Sequence, residues 1–384
     1  MGKICYVSSV ICEFKGEFIR TLEKIEEKVN KEKLYDGVVY VFPKAAKGLG
    51  YMNDFEKNHI VYFIENPPKS NAKKLCLYIR NLIIGASKKE KKELQMIIEK
   101  ENISVIHSHY ETYDFLCYQS AKKNKIPCYV HYHDALIDSY KMINNYAKRK
   151  IKLFLLKRKY KKINKYAPLI AVSEYTYNQL KDFVSSNKIY LIRNCIDFNY
   201  ILKRKNFNDK IINFGSIVTR VPKGLITILE SAKIIDKSIN YKLLLICSQE
   251  TKHIIFDNYK DLLEDNKIEI LNPVDDMNKF FEKIDCYISA SFFETFSFGI
   301  AEALGYGVPC IISDIPSTKW AMQTNNCIEF QTKNSESLSN SITKMINNGC
   351  EKEKCIYAMK YMREKYSVDI LTDEILKLYK GGEK

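Results

Sequence analysis

The chain has 384 residues, enough for roughly two to three domains that each bury a core. A 46% hydrophobic share beside 28% charged residues excludes global disorder, and no apolar run approaches bilayer-spanning length. Lys and Arg outnumber Asp and Glu by 61 to 46, a net +15, so the protein should be drawn to something anionic: a membrane face, a nucleic acid or a phosphorylated substrate.

In chain order, residues 1–10 read as a strand, interrupted by Ser8 and Ser9 and too short for a secretory h-region, while Tyr6 breaks a myristoylation pattern. Residues 13–18 then turn into an amphipathic helix through Arg20, Leu22 and Ile25. Gly16 at that turn is either a turn glycine or a point where backbone approaches a ligand. Strands are expected at 38–41 and 60–63. A strand at 103–107 ends in His107-Ser-His109, and one at 128–130 ends in His131-Tyr-His133-Asp134. Four of the six histidines thus sit at the carboxyl ends of two strands expected to be neighbours, where open α/β sheets gather ligands. Histidines with Asp134 are zinc-ligand types, but nothing completes a cage, so no metal is expected, and His107 and His131 read as structural.

Residues 141–165 are strongly basic: Lys148, Arg149, Lys150, Lys152, Lys157, Arg158, Lys159, Lys161 and Lys162 surround Ile151, Leu153, Phe154, Leu155 and Tyr160. Either this helix lies on an anionic membrane surface, or its apolar stripe packs on a sheet and its lysines are solvated. A strand at 168–172, the N-cap Ser173 and a helix to about Val184 follow. Residues 193–197 and the polar stretch 203–210 read as a linker. Strands then recur at 211–214, 243–247, 268–271 and 286–288, with a basic glycine-containing loop, 215–224, after the first. A weak strand near Ile328 and helices from Glu336, Glu351 and Val368 complete the chain.

The 12 cysteines include no C-x-x-C pair. Cys5, Cys128, Cys247, Cys286 and Cys310 lie in apolar runs, pointing to reduced, buried thiols of a cytoplasmic protein. Phosphate-loop, dinucleotide, zinc-finger and ribonucleoprotein motifs are missing, so no nucleic-acid partner is expected.

Residues 285–314 hold the most informative pattern: a short strand, a loop, a helix and a second strand. Glu294 precedes the helix and Glu302 lies about a turn inside it, with Phe296, Ser297, Phe298 and Gly299 between. The helix N-terminus is a seat for phosphate, and carboxylates on either side suit hydroxyl groups, which describes a nucleotide sugar.

This frame resembles the Glu-x7-Glu motif of the family 4 retaining glycosyltransferases. The resemblance implies a GT-B fold: two Rossmann-like domains facing across a cleft, here 1–192 and 193–365, with a C-terminal helix, 366–384, crossing back to the first. It places Glu294 on the donor sugar, the amides of Phe296, Ser297 and Phe298 on the diphosphate, Glu302 on the ribose, and Leu271 beside the base. Lys223 and Gly224 match the family's diphosphate loop, whereas Ser216 stands where an Arg is usual, leaving Arg220 as the substitute cation. His133 becomes an active-site residue, with Gly16 and His109 on the acceptor side. The implied reaction is metal-independent and retaining, transferring a hexose or N-acetylhexosamine from a nucleotide sugar, UDP ahead of GDP, with no further cofactor. The expected acceptor is a lipid-linked or envelope glycan, with the protein peripheral on the inner face of the cytoplasmic membrane. The alternative is a catalytically silent GT-B subunit that binds nucleotide or glycan and supports a partner enzyme.

Overall fold

The computed structural model describes residues 2–9, 16–66, 86–184, 186, 188–198, 212–274 and 276–381. The expected linker at 203–210 and residues 13–15 lie outside them. The chain divides into two compact units, Met1–Asn194 with Leu371–Lys384, and Cys195–Ile370.

The first unit is built on seven parallel strands: β1 (Lys3–Ser8), β2 (Val38–Pro43), β3 (Ile60–Ile64), β4 (Ile103–His109), β5 (Cys128–Tyr132), β6 (Leu169–Ala171) and β7 (Ile189–Leu191). Their order is β3-β2-β1-β4-β5-β6-β7. A parallel sheet is covered on both faces, which explains unbroken apolar runs such as Ile4 to Val7 with every side chain buried. Helix Glu17–Glu32 presents Ile19, Leu22, Ile25 and Val29 to the core. Helix Lys88–Lys100 opens on a capping box between Ser87 and Glu90, which satisfies two N–H groups that a helix start otherwise leaves over. The end of helix Val368–Gly381 belongs to this unit and buries Leu371, Ile375, Leu376 and Tyr379. Tyr129 Oη donates to Leu378 O at 3.1 Å, fixing that helix to the sheet.

The basic segment forms one helix, Tyr146–Asn164, preceded by a short one, Leu136–Lys141. Its apolar stripe is only partly the packed one: Leu156, Tyr160 and Ile163 are buried, whereas Ile151 and Phe154 are 55% and 57% exposed. Lys159 points inward, 3.4 Å from Asp114 Oδ2, and donates to Glu111 O at 2.7 Å. Burial pushes the Asp114 carboxyl up to about 7, against the pull of Lys159 and of Ser108.

The second unit carries six parallel strands: β8 (Asn213–Val218), β9 (Lys242–Cys247), β10 (Ile268–Leu271), β11 (Cys286–Ser289), β12 (Cys310–Ser313) and β13 (Cys327–Phe330). Their order is β10-β9-β8-β11-β12-β13. The strand expected at 211–214 runs on to Val218, because Ser216, Ile217 and Val218 pair with Leu245, Ile246 and Cys247. Gly215 is needed inside it, since a Cβ there would stand 2.6 Å from Ile284 Cδ1. In each sheet the strand order reverses once, between β1 and β4 and between β8 and β11, and such switch points open a crevice at the carboxyl ends.

Candidate functional site

In the second unit, the loops leaving β8 and β11 meet at the switch point. The first forms a tight turn, Val221–Lys223, with Gly224 at φ 81°. A Cβ on Gly224 would lie 2.0 Å from Ala290 O, so the position needs glycine for its backbone angle and for its contact alike. Phe292 N–H donates to Pro222 O at 2.9 Å and ties the two loops together. Across this junction Lys223 Nζ pairs with Glu294 Oε1, which also accepts from Ser291 Oγ at 2.8 Å.

The helix that follows, Phe298–Tyr306, starts without a side-chain cap. Its first N–H groups, on Phe298, Gly299 and Ile300, are therefore left over by the helical ladder. Ser297 before it holds φ 76° and ψ 87°, a strained conformation for a residue with a Cβ. Two contacts fix the preceding residue, Phe296. Phe296 stacks on Trp320 with centroids 4.9 Å apart, and Trp320 Nε1 donates to Phe296 O at 3.0 Å. The Phe296 side chain is thus core, and only its backbone is available to a ligand. Behind the helix start, a Cβ on Gly299 would fall 2.3 Å from Tyr287 Oη. Burial, then Cys310, Glu294 and Glu302, hold the Tyr287 phenol above its ordinary pKa, so both carboxylates act on one hydroxyl. Glu302 is buried, one turn into the helix.

The structure therefore brings Lys223, Glu294, Phe296, Ser297, Phe298 and Glu302 to one strand-loop-helix unit and its neighbouring turn. Leu271 closes β10, next to Asn272, whose side chain accepts from Lys252 at 2.6 Å. Ser216 falls differently from the loop position assigned to it. It lies within β8, buried, with its hydroxyl donating to Ile288 O at 2.7 Å, so it pins β8 to β11. Arg220 is exposed at the start of the turn and pairs with no carboxylate among the described residues. Tyr287, Ser291 and Trp320 went unrecognised in the sequence; only the Gly299 next to the motif hints that something approaches the helix start.

In the first unit, β4 and β5 align His109 with His131, and alternation puts His107, His109, His131 and His133 on one face. Their rings pack as two pairs side by side: His107 to His109 at 4.3 Å and His131 to His133 at 4.3 Å, with His131 5.3 Å from His107 and 5.2 Å from His109, and His133 5.2 Å from His109. His109 Nδ1 and His133 Nε2 share a hydrogen bond of 2.9 Å, which requires at least one neutral ring. His107 Nδ1 and Tyr379 Oη also share one, 2.5 Å long. Burial pushes His107 and His133 down to about 3, and holds His109 and His131 well below the ordinary value. His107 Nε2, His109 Nε2 and both His131 nitrogens find no hydrogen-bond partner among the described residues. One nitrogen from each of His107, His109 and His131 lies within 4.8 Å of the others. Three imidazoles held neutral by burial and gathered this closely have the chemistry of zinc ligands. Phe18, early in the first helix, sets its ring edge on His109 and His133, at 5.1 and 5.5 Å. Gly16 caps that helix, and a Cβ there would meet no protein atom within 4 Å.

Among solved structures, the fold is similar to sucrose-phosphate synthase from Thermosynechococcus elongatus, with TM-score 0.80 and 13% identity over 99% of each chain. It is also similar to Anabaena Alr3699/HepE in complex with UDP and glucose, with TM-score 0.74 and 15% identity over 99% of this chain and 100% of that one. A third is a glycosyltransferase from Rickettsia africae, with TM-score 0.74 and 15% identity over 99% and 98%. At such identities the likeness is one of fold, the GT-B fold. No curated protein matches the sequence. Two family models do: Glycosyltransferase Family 4 over residues 64–200, and Glycosyl transferases group 1 over residues 208–348. With both halves matched and the GT-B fold in place, the chain belongs to the family 4, group 1 glycosyltransferases.

Proposed function

We propose that this glycosyltransferase is metal-independent and retaining, and moves a hexose or N-acetylhexosamine from a UDP-sugar to a lipid-linked or envelope glycan. The observation that carries the reading is the Lys223–Glu294 pair beside the uncapped start of helix Phe298–Tyr306. That arrangement offers a cation and left-over N–H groups to a diphosphate, and a carboxylate to sugar hydroxyls. Charge developing on the departing diphosphate would be stabilised by Lys223, by Arg220 and by the helix start, the work a metal does elsewhere. Glu294 orients the sugar, Glu302 binds the ribose, Leu271 borders the base, and His133, held by His109, serves the reacting carbon. UDP is chosen because Alr3699/HepE, similar in fold, was solved with UDP and with UDP-glucose.

The acceptor class rests on the outer face of helix Tyr146–Asn164. There Tyr146, Ile151 and Phe154 are exposed, with Arg149 and Lys150 over the Tyr146 ring and Arg158 over Phe154. Among the described residues no helix is long and apolar enough to cross a membrane. Mixed aromatic and cationic character suits an anionic lipid surface, and so a peripheral enzyme with a lipid-linked acceptor. Lys223→Ala should lower donor turnover by about 100-fold or more while far-UV circular dichroism stays unchanged. Turnover at the wild-type rate would refute the assignment.

One observation favours the silent-subunit reading: the Ser216 hydroxyl is engaged within the sheet, so the usual Arg has no direct replacement. UDP binding without sugar transfer or donor hydrolysis, across a panel of lipid-linked acceptors, would establish that reading instead.

A further inference from the structure

Five cysteines gather at the end of the second sheet opposite the donor loops. Cys286, Cys310 and Cys327 are the first residues of β11, β12 and β13, and Cys310 is the register partner of Cys327. Cys350 joins them from the connection between helices Ser335–Asn348 and Lys352–Lys365, and Cys355 from the first turn of the second. Burial, then Cys327 and Cys350, hold the Cys286 thiol well above its ordinary pKa, so Cys286 is an inert member.

Cys350 and Cys355 differ from the rest. Their Sγ atoms are 3.0 Å apart, only about 1 Å beyond the length of a bonded pair. Access is asymmetric, since Cys350 is half-buried and Cys355 fully buried. Gly349, at φ 69° and ψ −165°, ends the first helix and turns Cys350 back toward the second. Cys355 lies in the first turn of that second helix, where Asn326 Nδ2 donates to its sulfur at 3.5 Å. A hydrogen bond to sulfur supports the charge that builds there as it attacks an electrophile.

We propose that Cys350 and Cys355 form an oxidisable dithiol, closed to an intramolecular disulfide by a peroxide. The accessible Cys350 thiolate attacks a peroxide oxygen, breaking the O–O bond and leaving a sulfenic acid on Cys350 and hydroxide. Cys355 sulfur then attacks the Cys350 sulfur. An S–S bond forms, the S–O bond breaks, and the oxygen leaves as water with the proton of the Cys355 thiol. In sum two thiols lose two electrons and hydrogen peroxide becomes two waters. The bond would staple the start of helix Lys352–Lys365, whose Ala358 and Met362 share a core with Ile300, Ala301 and Leu304 of the donor helix. Closing so short a loop should raise the unfolding midpoint of this unit by about 5 °C.

The test is hydrogen peroxide titration of the full reduced chain, followed by alkylation and non-reducing peptide mapping. Trypsin cuts after Lys352 and Lys354, so the bond would appear as two linked peptides, with an intact mass lower by about 2 Da and reversal by dithiothreitol. Cys350→Ser should abolish the linked pair and the rise in midpoint. Linkage between other cysteines, or oxidation of Cys350 to sulfinic acid with Cys355 still alkylatable, would overturn the proposal.

Discussion

Gly224→Ala is the substitution that the donor-site geometry judges most severely. At φ 81° an added methyl incurs a left-handed backbone penalty of about 1–2 kcal/mol. The Cβ would also stand 2.0 Å from Ala290 O and 2.6 Å from Ala290 C, backbone atoms that no rotamer change can move. Relieving that overlap means pushing the β8 and β11 loops apart, an overpacking cost of about 1–3 kcal/mol. The sum is about 2–5 kcal/mol, read as the urea midpoint of unfolding at constant slope. Because Lys223 is the adjacent residue and Glu294 lies on the displaced loop, UDP affinity should fall along with stability. Gly37→Ala is the control, since Gly37 has φ 129° but nothing within 4 Å of a Cβ, so only the backbone penalty should remain. If the two variants lose the same stability, or Gly224→Ala binds UDP like the wild type, the contact argument is wrong.

Gly299→Ala should destabilise by about 1–3 kcal/mol, and adding Tyr287→Phe should recover part of the loss by removing the hydroxyl 2.3 Å from the new Cβ; additive losses in a double-mutant cycle would contradict that contact. Lys159→Ala leaves a buried carboxyl without its cation and should cost about 3–5 kcal/mol in denaturant unfolding, whereas Lys162→Ala, on the partly exposed side of the helix, should cost under about 0.5 kcal/mol. The histidine cluster gives a pH dependence. Its four folded-state pKa values are depressed, so its stabilisation is present above the unfolded value near 6.5 and is lost as pH falls from there toward 3. Asp114 acts oppositely, its raised pKa giving stability present below about 4 and lost as pH rises toward 7. With four groups against one, the unfolding free energy should decline on acidification from pH 6.5 to 4, and a flat profile would contradict neutral burial of these rings.

Much of the fold was legible because a parallel sheet buries both faces, and runs such as Val38 to Val41 and Leu243 to Cys247 announce this directly. The Glu294 and Glu302 frame was legible for a similar reason, as a helix start with flanking carboxylates is a local pattern. What escaped depended on partners distant in sequence. Ser216 looked like a loop residue until its pairing with Leu245 placed it in β8. Tyr287 looked like any strand tyrosine, though its hydroxyl lies under the helix start. Lys159 was one cation among nine until Asp114, 45 positions earlier, drew it inward. The strained conformation of Ser297 had no local signal, and the ring that fixes its neighbour Phe296, Trp320, lies outside the motif.

Lys223, Glu294, Glu302 and the helix start are proposed to form a metal-free donor site. Isothermal titration of UDP into the full chain, with and without EDTA, tests it most directly when repeated on Glu302→Ala. Binding unchanged by EDTA and weakened about tenfold or more in the variant is the expected result, since the carboxylate proposed to bind the ribose would be lost. UDP binding that needs a divalent ion, or that is equal in the variant, would contradict it.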